Sequence, residues 1–193
     1  ITPKSVVTGE DMSVEAPADV TYNGQPQQEK PLVKDGEKTL IEGTDYTLSY
    51  SSDTTNAGAV TVTVTGKGNY SGSVDVTYQI LKRPVTLTSA TDSKPYDGTA
   101  LTRPNVTVAG SGFVDGEVTN IRATGSVTTV AEGEVVNTID YDEGVNFKVG
   151  NYDITKNEGK LSITALSAED GLTITPNNVE YTYNAEPHSA GAA

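Results

Sequence analysis

The chain has 193 residues, a formal net charge of −13 and a sequence pI near 4.3. Such an acidic chain lacks the basic patches that bind nucleic-acid phosphates or anionic membrane surfaces. It contains no cysteine and one histidine, which excludes disulfides and the usual Cys/His zinc sites. No apolar stretch approaches the roughly 20 residues of a membrane-spanning helix.

Short alternations of apolar and hydroxyl residues predict β-strands along most of the chain. In chain order they occupy residues 46–50, 59–65, 74–80, 85–88, 106–108 and 160–164. Tight turns between strands are predicted where Gly follows Asn or Asp, because Gly supplies positive φ: Asn23-Gly24, Asp35-Gly36, Asp97-Gly98 and Asp115-Gly116. We expect an all-β chain, because no segment of 10–12 residues shows helical periodicity; residues 39–42 are a candidate for a short helical turn.

Two motifs recur in the same order. Tyr22-Asn23-Gly24-Gln25-Pro26 returns as Tyr183-Asn184-Ala185-Glu186-Pro187, with the variant Tyr96-Asp97-Gly98 between them. Gly68-Asn69-Tyr70 returns as Gly150-Asn151-Tyr152. Because each Tyr-Asx-Gly motif opens a segment that a Gly-Asn-Tyr motif nearly closes, we interpret the chain as tandem β modules.

The motif positions predict four segments. Residues 1–14 form a leading strand or the connection from a preceding module, and residues 15–82 form the first β module. The second module, 83–164, begins at Arg83-Pro84, because proline cannot continue a ladder from inside a sheet. Residues 165–193 form a connector and the truncated start of a third module. The joints lack Gly/Ser linkers, which favours a stiff, elongated array of modules with independent cores.

These motifs resemble known bacterial repeats. The run 43–50, followed by Asn56-Ala57-Gly58 and Gly68-Asn69-Tyr70-Ser71-Gly72, resembles the immunoglobulin-like repeats of clostridial and other Firmicute surface proteins. The second module, with Lys94-Pro95-Tyr96-Asp97-Gly98-Thr99, resembles the YDG/MBG repeats of bacterial adhesins. The resemblance implies tandem Ig-like β-sandwich modules, or else mostly-β grasp-like modules. It also implies an extracellular, cell-wall-associated protein of the Gram-positive cell surface, and it carries over no catalytic or ligand residue.

Catalysis is not expected. A Ser-His-Asp or Cys-His site needs a histidine base, and the single histidine, His188, lies in the predicted third module. No phosphate-binding loop of the Walker type occurs either. The chain is therefore predicted to be no enzyme and to need no cofactor.

Calcium is the one cofactor that the residues suggest, since hard cations prefer oxygen ligands. The alternative interpretation is that the same carboxylates lie in solvated acidic turns. The candidate ligands are one acidic run and two pairs at the predicted joints: Asp140, Asp142 and Glu143; Glu10 and Asp11; Glu169 and Asp170.

Two further hypotheses concern single residues. An intramolecular Lys–Asn isopeptide bond would need a buried lysine, for which Lys82 and Lys160 are the candidates. Glycan binding would need exposed aromatic rings, for which Tyr141, Tyr181 and Tyr70 are the candidates. The alternatives are exposed solubilising lysines and tyrosines packed in the core or at its rim.

The leading functional hypothesis is a non-catalytic spacer in the stalk of a surface protein, whose partners are the neighbouring repeats. The alternative is an adhesin module that contacts host glycan, mucin or matrix protein through weak, multivalent sites. Neither hypothesis involves nucleic acid or membrane insertion of this segment.

Overall fold

The structure is a computed structural model that describes residues 2–7 and 11–167. Alternating β-branched residues form strands throughout these ranges. The first half contains nine strands. They are β1 (Lys4–Ser5), β2 (Met12–Glu15), β3 (Val20–Thr21), β4 (Leu32–Asp35), β5 (Lys38–Thr39), β6 (Tyr46–Tyr50), β7 (Gly58–Gly66), β8 (Tyr70–Ser71) and β9 (Ser73–Leu81).

The second half contains ten strands and two short 3-10 helices, η1 (Val130–Glu132) and η2 (Val149–Asn151). The strands are β10 (Arg83–Ser89), β11 (Asp92–Pro95), β12 (Leu101–Thr102), β13 (Val106–Gly110), β14 (Val118–Ala123), β15 (Ser126–Val127), β16 (Val135–Asn137), β17 (Ile139–Glu143), β18 (Tyr152–Asn157) and β19 (Gly159–Thr164). The all-β prediction is confirmed, and a strand covers each of the six predicted alternations.

The first half is built on a four-stranded sheet in the order β3-β9-β7-β6, beside a three-stranded sheet β2-β4-β5. Along β7, Val60, Val62 and Val64 are buried, and the intervening threonines are half-buried or exposed. The period of two in residues 59–65 therefore gives one dry face, as the sequence predicts.

Matching strand pairs occur in both halves. β1 pairs with β8 in parallel, and β10 pairs with β18 in parallel. In the first pair Lys4 lies opposite Tyr70, and in the second Arg83 lies opposite Tyr152. A second parallel pair joins β3 to β9 and β11 to β19. Each Gly-Asn-Tyr tyrosine thus begins a strand beside the first strand of its own half.

The largest hydrophobic cluster crosses from one half to the other. It consists of Tyr22, Val60, Val62, Tyr78 and Ile80 from the first half and Val85, Leu87, Ile139 and Tyr152 from the second. Only Lys82 separates β9 from β10. The prediction of independent cores is therefore wrong at this joint, because one residue is too short to hold the two cores apart.

Each half also has a smaller cluster of its own. In the first half, Val6 from the segment after β1 and Met12 from β2 join a cluster with Val33, Leu40 and Tyr46. Part of the segment predicted as a leading strand or connection therefore packs into the core of the first half. Of the predicted connector and third module, 165–193, residues 168–193 lie outside the described residues.

The segment near residues 39–42 is not helical. β5 ends at Thr39, and the chain then turns tightly before β6. The Ile41 amide donates to the Asp45 carboxylate at 3.0 Å, and the Asp45 amide donates back to the Ile41 carbonyl at 2.8 Å. These two bonds close a single turn over residues 41–45, and the chain continues directly into β6. Within the described ranges, no helix has the length and apolar character needed to cross a membrane.

Candidate functional site

A buried carboxylate joins the two halves. Glu117 accepts a hydrogen bond from the Tyr22 hydroxyl at 2.5 Å and another from the Tyr152 hydroxyl at 2.7 Å. The rings of the two tyrosines meet edge to face, with centroids 5.5 Å apart and planes at 80°. Tyr22 and Tyr152 are each 3% exposed, and Glu117 is 5% exposed. We call these three residues the joint cluster.

The chemistry of the joint cluster explains why a carboxylate is tolerated there. Removing a carboxylate from water is costly unless strong hydrogen bonds replace the lost hydration, and two phenol hydroxyls provide them. Burial, reinforced by the hydrogen bond to Glu117, raises the pKa of Tyr22. Burial likewise raises the pKa of Tyr152 well above its ordinary value. Both hydroxyls therefore keep their protons and remain donors at neutral pH.

Aromatic packing in the second half supports Tyr152. Phe113 lies 5.2 Å from the Tyr152 ring centroid, and Phe147 stacks on Tyr152 at 5.6 Å with planes 21° apart. The Val114 amide donates to the Tyr152 hydroxyl oxygen at 3.1 Å. These contacts fix the ring on one side, so that its hydroxyl faces Glu117.

A second set of contacts joins the halves through Asn151, which is 2% exposed. Its Oδ1 accepts from the Ala57 amide at 2.9 Å, and its Nδ2 donates to Asn56 Oδ1 at 3.1 Å. Lys148 Nζ donates to the same Asn56 oxygen at 3.2 Å. Asp53 accepts from the Asn56 side chain at 2.7 Å, and hydrogen bonds from the Asn56 backbone amide and then from its side chain lower the pKa of Asp53 to about 2.

Arg83 makes a third connection across the joint. Its Nη1 donates to the Tyr22 carbonyl at 3.3 Å, while Nε and Nη2 donate to the carbonyls of Gly112 and Ser111 at 2.7 and 2.6 Å. One guanidinium thus ties the backbone of the Tyr-Asx-Gly turn to a loop of the second half.

A polar cleft of about 600 Å³ opens between the halves beside the joint cluster. It is lined by residues of both halves, among them three carboxylates, an ammonium group and three amides: Asp53, Asp115, Glu117, Lys148, Gln25, Asn56 and Asn146. Such a lining can hydrogen-bond a hydroxyl-rich ligand. Across the described part of the chain, no group of three or more His, Cys, Asp or Glu side chains could hold a metal ion.

No protein-family model matches this chain. A search of the curated proteins also finds no match. The resemblance to bacterial immunoglobulin-like and YDG/MBG repeats therefore stays a prediction.

The predicted acidic run pairs with an arginine side chain. β17 places Asp140 and Asp142 on one face, as expected for an extended strand. The guanidinium of Arg122 bonds to both, with its Nη1 3.1 Å from Asp142 and its Nη2 on Asp140. Asn120 also donates to Asp142 at 3.0 Å. The structure gives the calcium site predicted at Asp140, Asp142 and Glu143 no support, because one arginine pairs with both aspartates.

Of the remaining candidate metal ligands, only Asp11 lies within the described residues, and it lies beside a lysine. Asp11 lies 3.6 Å from Lys4 Nζ, which also binds Asp35 at 2.5 Å. Glu10, Glu169 and Asp170 lie outside the described residues, so their role at the joints stays a prediction.

Neither candidate for an isopeptide bond has the burial that the reaction needs. Lys82 is exposed, and Lys160 is exposed and paired with Glu134 at 2.8 Å. Both fit the alternative interpretation of solubilising lysines, because an exposed ammonium keeps its proton and is not a nucleophile.

The candidate glycan platforms are likewise packed away. Tyr70 is only 7% exposed, and its hydroxyl donates to Asp35 at 3.1 Å. Tyr141 is half-buried against Phe113. Tyr181 lies outside the described residues. Tyr70 and Tyr141 therefore follow the core-or-rim interpretation and not the glycan-platform hypothesis.

The sequence interpretation missed Glu117. Asp115-Gly116 was expected only as a turn, and nothing local marks the next residue as buried. Asp115-Gly116-Glu117 repeats Asp35-Gly36-Glu37 from the first half, but Glu37 is exposed, so the repeat does not mark burial either. The other two members of the joint cluster lie in the recurring motifs, which identified the positions without identifying the contact.

Proposed function

We propose that this chain is a non-catalytic spacer from the stalk of an extracellular bacterial surface protein, and that its modules are held at a fixed mutual angle. The observation that carries the proposal is the joint cluster, in which Glu117 of one half is buried against Tyr22 of the other. A spacer must keep its successive modules in a fixed relative orientation, and a flexible joint would not do so.

Burial at the joint supports this function. Domains linked in one chain move relative to each other unless their interface is large and apolar. Here one hydrophobic cluster contains residues from both halves, and only Lys82 lies between the last strand of one and the first of the other. The hydrogen bonds of Glu117 and Asn151 add directional constraints to this apolar contact, so that few mutual orientations satisfy every group.

Distance measurements between spin labels would test the proposal. The chain has no cysteine, so two labels can be attached through Glu37→Cys and Asn105→Cys, both exposed positions on opposite sides of the joint. We expect one narrow distance distribution by pulsed electron spin resonance. A Tyr22→Ala version of the labelled chain should give a broader distribution. A distribution that is already broad with Tyr22 present would contradict the spacer proposal.

The polar cleft favours a second candidate function, the adhesin module that binds host glycan, mucin or matrix protein. Its mixed carboxylate, ammonium and amide lining suits hydroxyl-rich ligands better than apolar ones. Binding would be tested by titrating labelled chain with mucin glycans and with collagen. Lys148→Ala should weaken binding at the cleft, whereas the distant change Lys160→Ala should not. Binding that neither change affects would remove the cleft from this role.

A further inference from the structure

Tyr96 occupies the same local structure in the second half as Tyr22 does in the first. The Tyr22 amide donates to the carbonyl of Leu81, the last residue of β9, at 2.9 Å. The Tyr96 amide donates to the carbonyl of Thr164, the last residue of β19, at 3.0 Å. Each tyrosine therefore leaves its sheet at the end where its half of the chain finishes.

The turns that follow the two tyrosines also match. Asn23 Oδ1 accepts from the amide of Gln25 at 2.8 Å, and Asp97 Oδ1 accepts from the amide of Thr99 at 2.9 Å. The glycines between them have φ of +79° at Gly24 and +78° at Gly98. Both turns are thus formed by the same side-chain capture of a backbone amide, and both need the left-handed conformation that glycine favours.

The surroundings of the two turns differ completely. Tyr22 is 3% exposed, whereas Tyr96 is 42% exposed. A Cβ atom on Gly24 would lie 2.9 Å from Val114 Cγ1 of the other half, whereas a Cβ on Gly98 would meet nothing within 4 Å. The second half buries the Tyr22 turn, whereas the Tyr96 turn has the same local structure and is exposed.

We propose that the Tyr96 surface, formed by Tyr96, Asp97 and Gly98, is the docking surface for a further module of the same kind. This inference rests on the proposed spacer function. The partner is the end of a module that carries an Asp-Gly-Glu loop and a Gly-Asn-Tyr segment, as the second half does at Glu117 and Tyr152. Its glutamate accepts the Tyr96 hydroxyl, and its tyrosine ring packs edge to face on Tyr96.

The geometry favours this occupant over a soluble ligand or an unrelated protein. The joint within the chain already shows how such a surface is covered, and it joins two unlike faces, tail to head. A tail-to-head contact does not close on itself and can be repeated along a chain. At the Tyr22 turn the second half buries the tyrosine ring and packs against the glycine. The corresponding ring and glycine of the Tyr96 turn are the two groups that a docked module would bury.

The test extends the full chain by one module. A second copy of residues 83–165 is inserted directly after Ala165, so that one residue separates Thr164 from the new Arg83, as Lys82 separates Leu81 from the first. Reaction of tyrosines with tetranitromethane, followed by peptide mass spectrometry, then reports whether each ring is covered. Tyr96→Phe in the inserted copy leaves the inner Tyr96 as the reporter, and the converse change leaves the outer one.

We expect nitration of the inner Tyr96 to slow by about tenfold relative to the unextended chain, following the fall in exposure that separates Tyr96 from Tyr22. The outer Tyr96 should react at the unextended rate. Glu117→Ala in the inserted copy alone should restore the reactivity of the inner Tyr96 and leave Tyr22 protected.

Equal nitration of the inner and outer rings would overturn the inference. So would protection that survives Glu117→Ala, or an inserted copy whose amides exchange as an unfolded chain, because the surface would then not support a module. The spin-label distances in the unextended chain are independent of these outcomes. A narrow distribution together with a reactive inner Tyr96 would reject the docking surface and keep the spacer proposal.

Discussion

Tyr22 and Tyr96 show how far local sequence determines a surface. Both follow a parallel strand pair, both open an Asx turn with a left-handed glycine, and both bond to the last strand of their half. Yet one ring is buried against Tyr152 and Glu117, while the other faces solvent. Each half thus forms its own turn from local sequence, whereas burial of the Tyr22 ring depends on the other half of the chain.

Removing the whole ring at each position should give the largest difference. Tyr22→Ala leaves a cavity in the shared cluster and should reduce the free energy of unfolding by about 3–5 kcal/mol. Tyr96→Ala removes an exposed ring and should change it by less than about 0.5 kcal/mol. Urea unfolding of both variants measures the two values, and equal losses would show that burial does not distinguish the two rings.

Removing only the hydroxyl group tests the hydrogen bonds of the buried cluster separately from the packing of the rings. Tyr152→Phe keeps the ring but deprives buried Glu117 of one donor, which should cost about 1.5–3 kcal/mol because the remaining charge is less well hydrogen-bonded. Tyr96→Phe is the matched control and should cost nothing measurable. An unchanged urea midpoint for Tyr152→Phe would mean that Glu117 does not depend on that hydroxyl.

Substituting Gly24 and Gly98 separates the cost of backbone strain from the cost of a steric clash with the other half. Gly24→Ala and Gly98→Ala should each cost about 1–2 kcal/mol, because both residues have positive φ. Gly24→Ala should cost about 1 kcal/mol more, since its methyl group would displace Val114. Thermal unfolding of the two variants gives the difference directly, and a Gly98 variant that is the less stable would contradict the assignment of the covered turn.

Raising the pH should change the free energy of unfolding least of all these changes near neutrality, and should lower it increasingly at alkaline pH. The pKa values of Tyr22 and Tyr152 are raised in the folded chain above the ordinary 10.0. The unfolded chain therefore loses these protons first, so their contribution is complete below about pH 10 and is lost as the pH rises further. Urea midpoints should fall above that pH, and they should fall less steeply in Tyr152→Phe.

Much of the fold could be predicted because strand signals are local. The Val-Thr alternation at residues 59–65 requires only a period of two and β-branched side chains, and it becomes β7 with its valines buried. The Asx-Gly turns follow from the residues that form them. The turn near residues 39–42 could not be predicted, because it depends on the Asp45 carboxylate reaching back to the Ile41 amide.

The joint could not be predicted for a different reason. Burial of Glu117 depends on Tyr22, which is 95 residues away along the chain, and no periodicity connects them. The same limit affected Asp140 and Asp142. Their acidic run is visible in the sequence, whereas Arg122, which pairs with both aspartates, is contributed by another strand, β14.

Residue-resolved unfolding tests the central claim, the shared core at the joint, most directly. Amide resonances of both halves would be followed through a urea titration, with Val62 reporting on the first half and Leu87 on the second. We predict coincident midpoints in both halves, because one buried cluster contains both residues. Loss of the native Val62 signal while Leu87 stays native, or the reverse, would contradict the account.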